Sequence, residues 1–136
     1  MSGLETAFQR ALFAMLSDAP ELSDVLGRPA RLYDLAPEEP VFPYVTFGQA
    51  ETTPIGGDAA PVFEHRMSVH VWSRYGGRSE AKTLIAALRT VIDAGAAPIE
   101  GAHLVDLRTV FTDVFRHSDV RTIHGVLKLR AVLQRL

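Results

Sequence analysis

Glu64 to Ile92 reads EHRMSVHVWSRYGGRSEAKTLIAALRTVI, and this stretch decides the architecture. Its first ten residues alternate. Phe63, Met67, Val69 and Val71 fall on one face of a strand over Phe63 to Ser73; Glu64, Arg66, Ser68, His70 and Trp72 fall on the other. Gly76-Gly77 then turns the chain, Ser79 is positioned to cap a helix, and the period changes to helical. Leu84, Ile85, Leu88, Val91 and Ile92 form that helix's apolar stripe, and Gly95 follows its last turn, where a left-handed residue often ends a helix.

The flanking sequence supplies the remaining elements. Leu4, Ala7, Phe8, Ala11, Leu12, Met15 and Leu16 share a helical stripe, with Ser2 as a capping candidate. This helix is expected to end near Ser17-Asp18, because the residue before Pro20 avoids helical geometry. Residues 20–40, with four further breaks at Gly27, Pro29, Pro37 and Pro40, read as irregular, with Arg31-Leu32-Tyr33 as a short edge strand. Val41 to Gly48 reads as a strand with Pro43 at an edge or at its start. Thr52 to Pro61 reads as a turn-forming mobile loop. His103 to Phe115 is expected to place Val105, Leu107, Thr109 and Phe111 on one face. Thr122 to Gln134 is expected to place Ile123, Gly125, Leu127, Leu129, Ala131 and Leu133 together, with His124, Val126, Lys128, Arg130 and Val132 opposite. Residues 116–121 make the hairpin loop between these strands.

The order helix, strand, strand, helix, strand, strand predicts an α+β fold. It is a two-layer sandwich, a four-stranded mainly antiparallel sheet with two helices on one face. A chain of 136 residues, 47% hydrophobic and 22% charged, fits one globular domain over 1–136. There is no cysteine, which excludes a disulfide framework and thiolate chemistry. No apolar run approaches the roughly 18 residues that span a bilayer, and the N-terminus does not read as a signal peptide. Net charge is −2, so general nucleic-acid binding is not implied. Residues 1–61 carry 3 basic and 9 acidic side chains (−6), and residues 62–136 carry 11 and 7 (+4). Such asymmetry fits either one acidic loop or complementary contacts between copies.

Catalytic and metal chemistry find little support. The five histidines show no zinc-site or HExxH spacing, and read as surface or interface residues. His65 and His70 point to opposite faces of a regular strand, whereas His70 and His124 approach each other if their strands are neighbours. No GxSxG elbow is present. Glu38-Glu39 lies in a proline-rich loop, and Asp106 and Asp113 fall on opposite faces of a regular strand. Neither Gly-Gly pair has the spacing of a phosphate loop. What survives is one candidate surface. Arg66, His70 and Trp72 on one strand, and His124, Lys128 and Arg130 on another, form a mixed aromatic and basic face if both strands expose it on the helix-free side. This face is either an ordinary solvated sheet face or a partner interface.

Four stretches carry a resemblance: Phe42-Pro43-Tyr44-Val45-Thr46-Phe47-Gly48, His70-Val71-Trp72-Ser73, the helix start Gly-Gly-Arg-Ser-Glu-Ala-Lys at 76–82, and Arg121-Thr122-Ile123-His124-Gly125-Val126. In this order they resemble the small tail-completion proteins, or tail terminators, of long-tailed phages, prophages and gene transfer agents. The resemblance runs from about Leu4 to Arg130. It implies a structural virion protein with no catalytic residue and no cofactor. It further implies a ring of copies, a hexamer, capping the head-proximal end of the tail tube. Its implied partners are the major tail tube protein and the head–tail connector or stopper protein, with DNA passing through unbound and no membrane contact. The implied location is the virion tail, reached from the bacterial cytoplasm during assembly. Two other readings remain open: a head-completion or stopper adaptor, and a small-molecule-binding α+β module.

Overall fold

A computed structural model describes residues 3–95 and 97–136. The chain runs α1 (Leu4–Ser17), α2 (Pro20–Leu26), β1 (Leu32–Tyr33), β2 (Tyr44–Gly56), β3 (Val62–Ser73), α3 (Ser79–Asp93), β4 (Ala102–Arg116) and β5 (Ile123–Arg135). The strands form one sheet in the order β1-β2-β3-β5-β4. All neighbours are antiparallel except β1 and β2, which are parallel. The α+β expectation holds, but with five strands and three helices among the described residues rather than four and two.

The extra helix is α2, which falls in the segment expected to be irregular. Pro20 begins it, and a proline is tolerated in the first turn because its missing N–H has no intrahelical acceptor there. Leu22 and Leu26, one turn apart, are both fully buried and hold this short helix to the core. The second difference is β2. It begins after Pro43 and continues through Gly56, so the first half of the expected mobile loop is strand. Thr52 pairs with His65 in the ladder and also bonds to its ring, a contact invisible to a pattern of turn-forming residues.

Core packing explains which side of the sheet the helices cover. Met67, Val69 and Val71 of β3 and Ile123, Leu127, Leu129, Ala131 and Leu133 of β5 are buried on one face. Phe8, Leu12 and Leu16 of α1 and Leu84, Leu88 and Ile92 of α3 join them in one cluster. At about 25 cal/mol per Å² of apolar area, this shared burial is the main force closing the two layers. His65 corrects the surface assignment of the histidines. It is 1% exposed, its Nδ1 lies 2.8 Å from Thr52 Oγ1, and the Phe8 ring meets it edge-on at 5.0 Å.

Two expected helix signals act differently. The N-cap of α3 is Arg78, with no side-chain cap bond; Ser79 is already helical. The upstream Ser73 hydroxyl instead donates to Glu80 Oε1 at 2.7 Å, tying the end of β3 to the first turn of α3. Gly95 is absent from the positive-φ glycines. Its lack of a side chain matters because a Cβ there would lie 2.9 Å from Leu107 Cδ2 and 3.0 Å from Met15 Sδ. Ser2 lies outside the described residues, and the N-cap of α1 is Gly3.

Strand β4 departs most from simple alternation. Register shifts fall between Leu104 and Asp106 and between Thr109 and Phe111. Each inserts one residue, Val105 and then Val110, and so reverses which parity faces the core. Leu107 and Thr109 lie on the helix side as expected. Phe111, opposite Lys128, lies on the helix-free side, as does Phe115 opposite His124. Asp113 is carried there too, so Asp106 and Asp113 share a face rather than opposing each other. They lie against Val132 and Val126, six residues apart on β5, or roughly 20 Å, too far for a carboxylate pair.

Candidate partner interface

The helix-free face is built from alternate residues of β2, β3, β5 and β4. Register places Tyr44, Trp72, His124 and Phe115 in one row across these strands. Their rings are continuous. Tyr44 and Trp72 stack at 6.2 Å, Trp72 and His124 at 4.0 Å with 17° between planes, and His124 and Phe115 meet at 4.8 Å. Cross-strand aromatic pairs of this kind hold a sheet together and present flat rings at its surface.

Trp72 sits in the middle of this row, half-buried rather than exposed. Tyr44 lies against one side and His124 against the other, and its indole Nε1 donates to Thr46 Oγ1 at 3.0 Å. His70 reaches His124 diagonally, Nδ1 to Nε2 at 2.8 Å, which fulfils the expected approach of these two histidines. His117 from the β4–β5 hairpin completes the group, 5.9 Å from Trp72 and 6.2 Å from His124. Despite this crowding, no group of three or more potential ligands among the described residues is arranged to hold a metal ion.

Burial and the neighbouring His70 and His117 push the His124 pKa down to about 4, and burial also lowers His70. An unfolded histidine titrates near 6.5. Above that value both states are neutral and these groups give no pH dependence. As pH falls from about 6.5 toward about 4, the unfolded chain takes up protons that the folded chain resists, so stability falls. The carboxylates held low, Glu5, Glu64 and Asp119, begin to act only below about 4.5. With solvent screening, His124 is expected to remove about 1–2 kcal/mol over this window. Thermal melts of wild type and His124→Asn between pH 7 and 4.5 check this, since the variant is expected to have a flatter profile. Equal slopes would refute the assignment.

The basic members of the candidate surface lie elsewhere on the same face. Arg66 and Arg130 face each other across β3 and β5, and Glu64 accepts from both, at 2.9 Å and 2.6 Å. Asp106 lies 3.8 Å from Arg130 and accepts from Arg108 at 2.8 Å. Lys128 projects over the Phe111 ring at 5.1 Å, a cation–π contact. A shallow hollow of about 200 Å³ lies between, with Gln49, Glu51, Arg66 and Lys128 on its walls. The six predicted residues therefore share one face but divide into two groups: His70, Trp72 and His124 in the ring row, and Arg66 and Arg130 in an ion-paired patch, with Lys128 between.

Sequence reasoning missed Tyr44, Phe111, Phe115, Asp106 and Arg108 as members of this face. Tyr44 had a usable signal, since its parity is opposite to that of Val45 and Phe47, although it too is largely buried, at 9% exposed. The two phenylalanines were hidden by the β4 bulges. None of the arrangement supplies a nucleophile with a base, or an enclosed pocket with converging polar groups.

The comparisons agree with a virion role. Tail completion protein gp17 is the family that matches, over residues 10–134. No curated protein matches the chain. Among solved structures, a chain in the virion of the native gene transfer agent particle is 20% identical, with a TM-score of 0.88, covering 98% of this chain and 99% of that one. The gp17 protein of bacteriophage SPP1 is 21% identical, with a TM-score of 0.63 and coverage of 96% and 89%. At these identities the structures testify to a common fold, while the family match extends over nearly the whole sequence. This chain belongs to the tail completion protein gp17 family and is a structural component of phage-like particles.

Proposed function

We propose that the protein acts as a tail terminator. In this reading copies assemble into a ring, a hexamer, on the head-proximal end of the tail tube. The ring stops tube polymerisation and offers its other side to the head connector. The supporting observation is that the family match and the structural likeness to a gene-transfer-agent virion chain both span nearly the entire chain. The helix-free face fits this reading, because its rings and ion pairs form a rigid contact surface rather than a cleft. The ring-row residues His70, Trp72 and His124 are proposed to meet a neighbouring protein, with Arg66, Lys128 and Arg130 setting orientation through charge. A net charge of −2 suits a channel through which DNA slides, since clustered unpaired Lys and Arg would bind phosphates.

Deletion of the gene tests this function. Electron micrographs of the deletion strain are expected to show unjoined heads and tails of uneven length, restored by the gene in trans. Free tails of uniform length would instead indicate a connector-side adaptor. Normal particles would reject a role in tail completion for this chain.

A further inference from the structure

The sheet has two edges without a full strand partner. On one side β4 is the terminal strand, and no strand among the described residues pairs with its outer edge; one of its amides, Thr109 N–H, donates to Asp93 Oδ1 at 2.7 Å. On the other side β1 covers β2 only at Val45 and Thr46, leaving the outer edge from Phe47 onward without a strand partner. Unpaired edges are templates for strand addition, and two unlike edges on one subunit give head-to-tail contact.

Three features match these edges to each other. First, the strands alternate in direction through β2, β3, β5 and β4. A neighbour's β2 placed beside β4 continues that alternation as another antiparallel pair, the stabler ladder. Second, the irregularities coincide. In β2 the register breaks between Phe47 and Ala50 and between Pro54 and Gly56; in β4 it breaks either side of Asp106 to Thr109. Both edges are therefore regular over the same rows: Ala50 with Thr109, Glu51 with Arg108, Thr52 with Leu107, and Thr53 with Asp106, each pair joined through β3 and β5. Third, the row Glu51, Arg66, Arg130, Arg108 begins with an acid and ends with a base on the helix-free face. A closed ring relates neighbours by rotation without a rise. With strands along the ring axis, equal rows of adjacent copies meet, and Arg108 falls opposite the next copy's Glu51.

We propose that a second copy of this chain occupies the β4 edge, with Asp106 to Arg108 of one subunit pairing antiparallel with Glu51 to Thr53 of the next, and Thr109, its N–H held by Asp93, ending the ladder. The contact makes the sheet continuous around the ring and sets the partner by charge as well as by backbone bonding. This rests on the ring reading above and specifies which surfaces close it.

Cysteine cross-linking tests it without background, because the chain has no cysteine of its own. Glu51→Cys and Arg108→Cys are placed in one gene, and purified particles are treated with a mild oxidant or a short bis-maleimide, which spans either class of opposed strand pair. Denaturing gels are expected to show a ladder of multiples of the chain, absent from either single variant. Glu51→Arg alone is expected to reduce particle yield about tenfold, with Arg108→Glu in the same chain restoring it. Several outcomes overturn the proposal: monomers only from particles that contain the chain, dimers from Arg108→Cys alone (β4 pairing with β4), or a product linked to a different protein. If the chain is absent from particles, the tail-terminator function fails separately. The same cross-link on the purified protein at about millimolar concentration then decides the edge pairing, a ladder supporting it and monomers rejecting it.

Discussion

Trp72→Ala is expected to leave a folded protein that no longer enters particles. The indole has a ring on each side and donates to Thr46 Oγ1, so its removal costs stability. Complete burial would put that cost at about 3–5 kcal/mol; for this half-buried site about 2–3 kcal/mol is expected. A domain with about 5–15 kcal/mol of total stability survives the loss. Its surface changes more than its fold, because Tyr44 and His124 lose their common support and the ring row is broken at its centre. Urea melts give the stability change, and pelleting of particles gives incorporation. Trp72→Phe separates the contributions: it keeps an aromatic spacer and loses only the Nε1 bond, so incorporation is expected to recover substantially. If Trp72→Ala simply unfolds, the residue is core, and the partner role proposed for that strand fails.

Phe8→Ala is expected to carry the largest purely structural penalty, about 3–5 kcal/mol. The ring is 1% exposed on α1 and meets His65 edge-on, so its loss opens a cavity between helix and sheet beside a buried imidazole. Burial lowers the His65 pKa, with Glu5 opposing weakly. Water admitted to the cavity is expected to let that pKa rise toward 6.5. The variant therefore has two signatures: an earlier urea midpoint at pH 7, and a His65 imidazole proton resonance that titrates at higher pH. Phe13→Ala is the control on the same helix. Phe13 is 43% exposed and touches Phe47 only at 6.4 Å, and is expected to cost under about 1.5 kcal/mol. Equal losses at the two positions would contradict the packing described here.

The elements most legible from sequence were those whose two faces differ sharply. β3 and β5 bury one parity and leave most of the other half-buried or exposed, Val132 excepted, and α3 holds its stripe for four turns. α2 was obscured because a proline at its first position looks like a breaker, and seven residues are too few to establish a period. The outer half of β2 was obscured because it is itself an exposed edge of the sheet, where Thr, Glu, Pro and Gly satisfy the fold as well as apolar residues do. His65 was misassigned from its residue type, although its parity matches Met67 and Val69. The hydrogen-bond partner that makes burial tolerable, Thr52, lies across a hairpin. For the candidate surface, the shared face of Arg66, His70, Trp72, His124, Lys128 and Arg130 followed from alternation alone. Its division into a ring row and an ion-paired patch depended on β4, where alternation breaks.

Those two breaks have a genetic consequence. Val105 and Val110 are the residues that β4 carries in excess of its partner. Loss of either codon removes a surplus residue and leaves every side chain that follows on its present face. Loss of a codon between or beyond them turns the remainder of the strand inside out, sending Phe115 inward and Val114 to solvent. Related genes are thus free to differ in length at two positions of this strand and at almost no others, and a gap in an alignment at either would mark a straightened strand rather than a lost one.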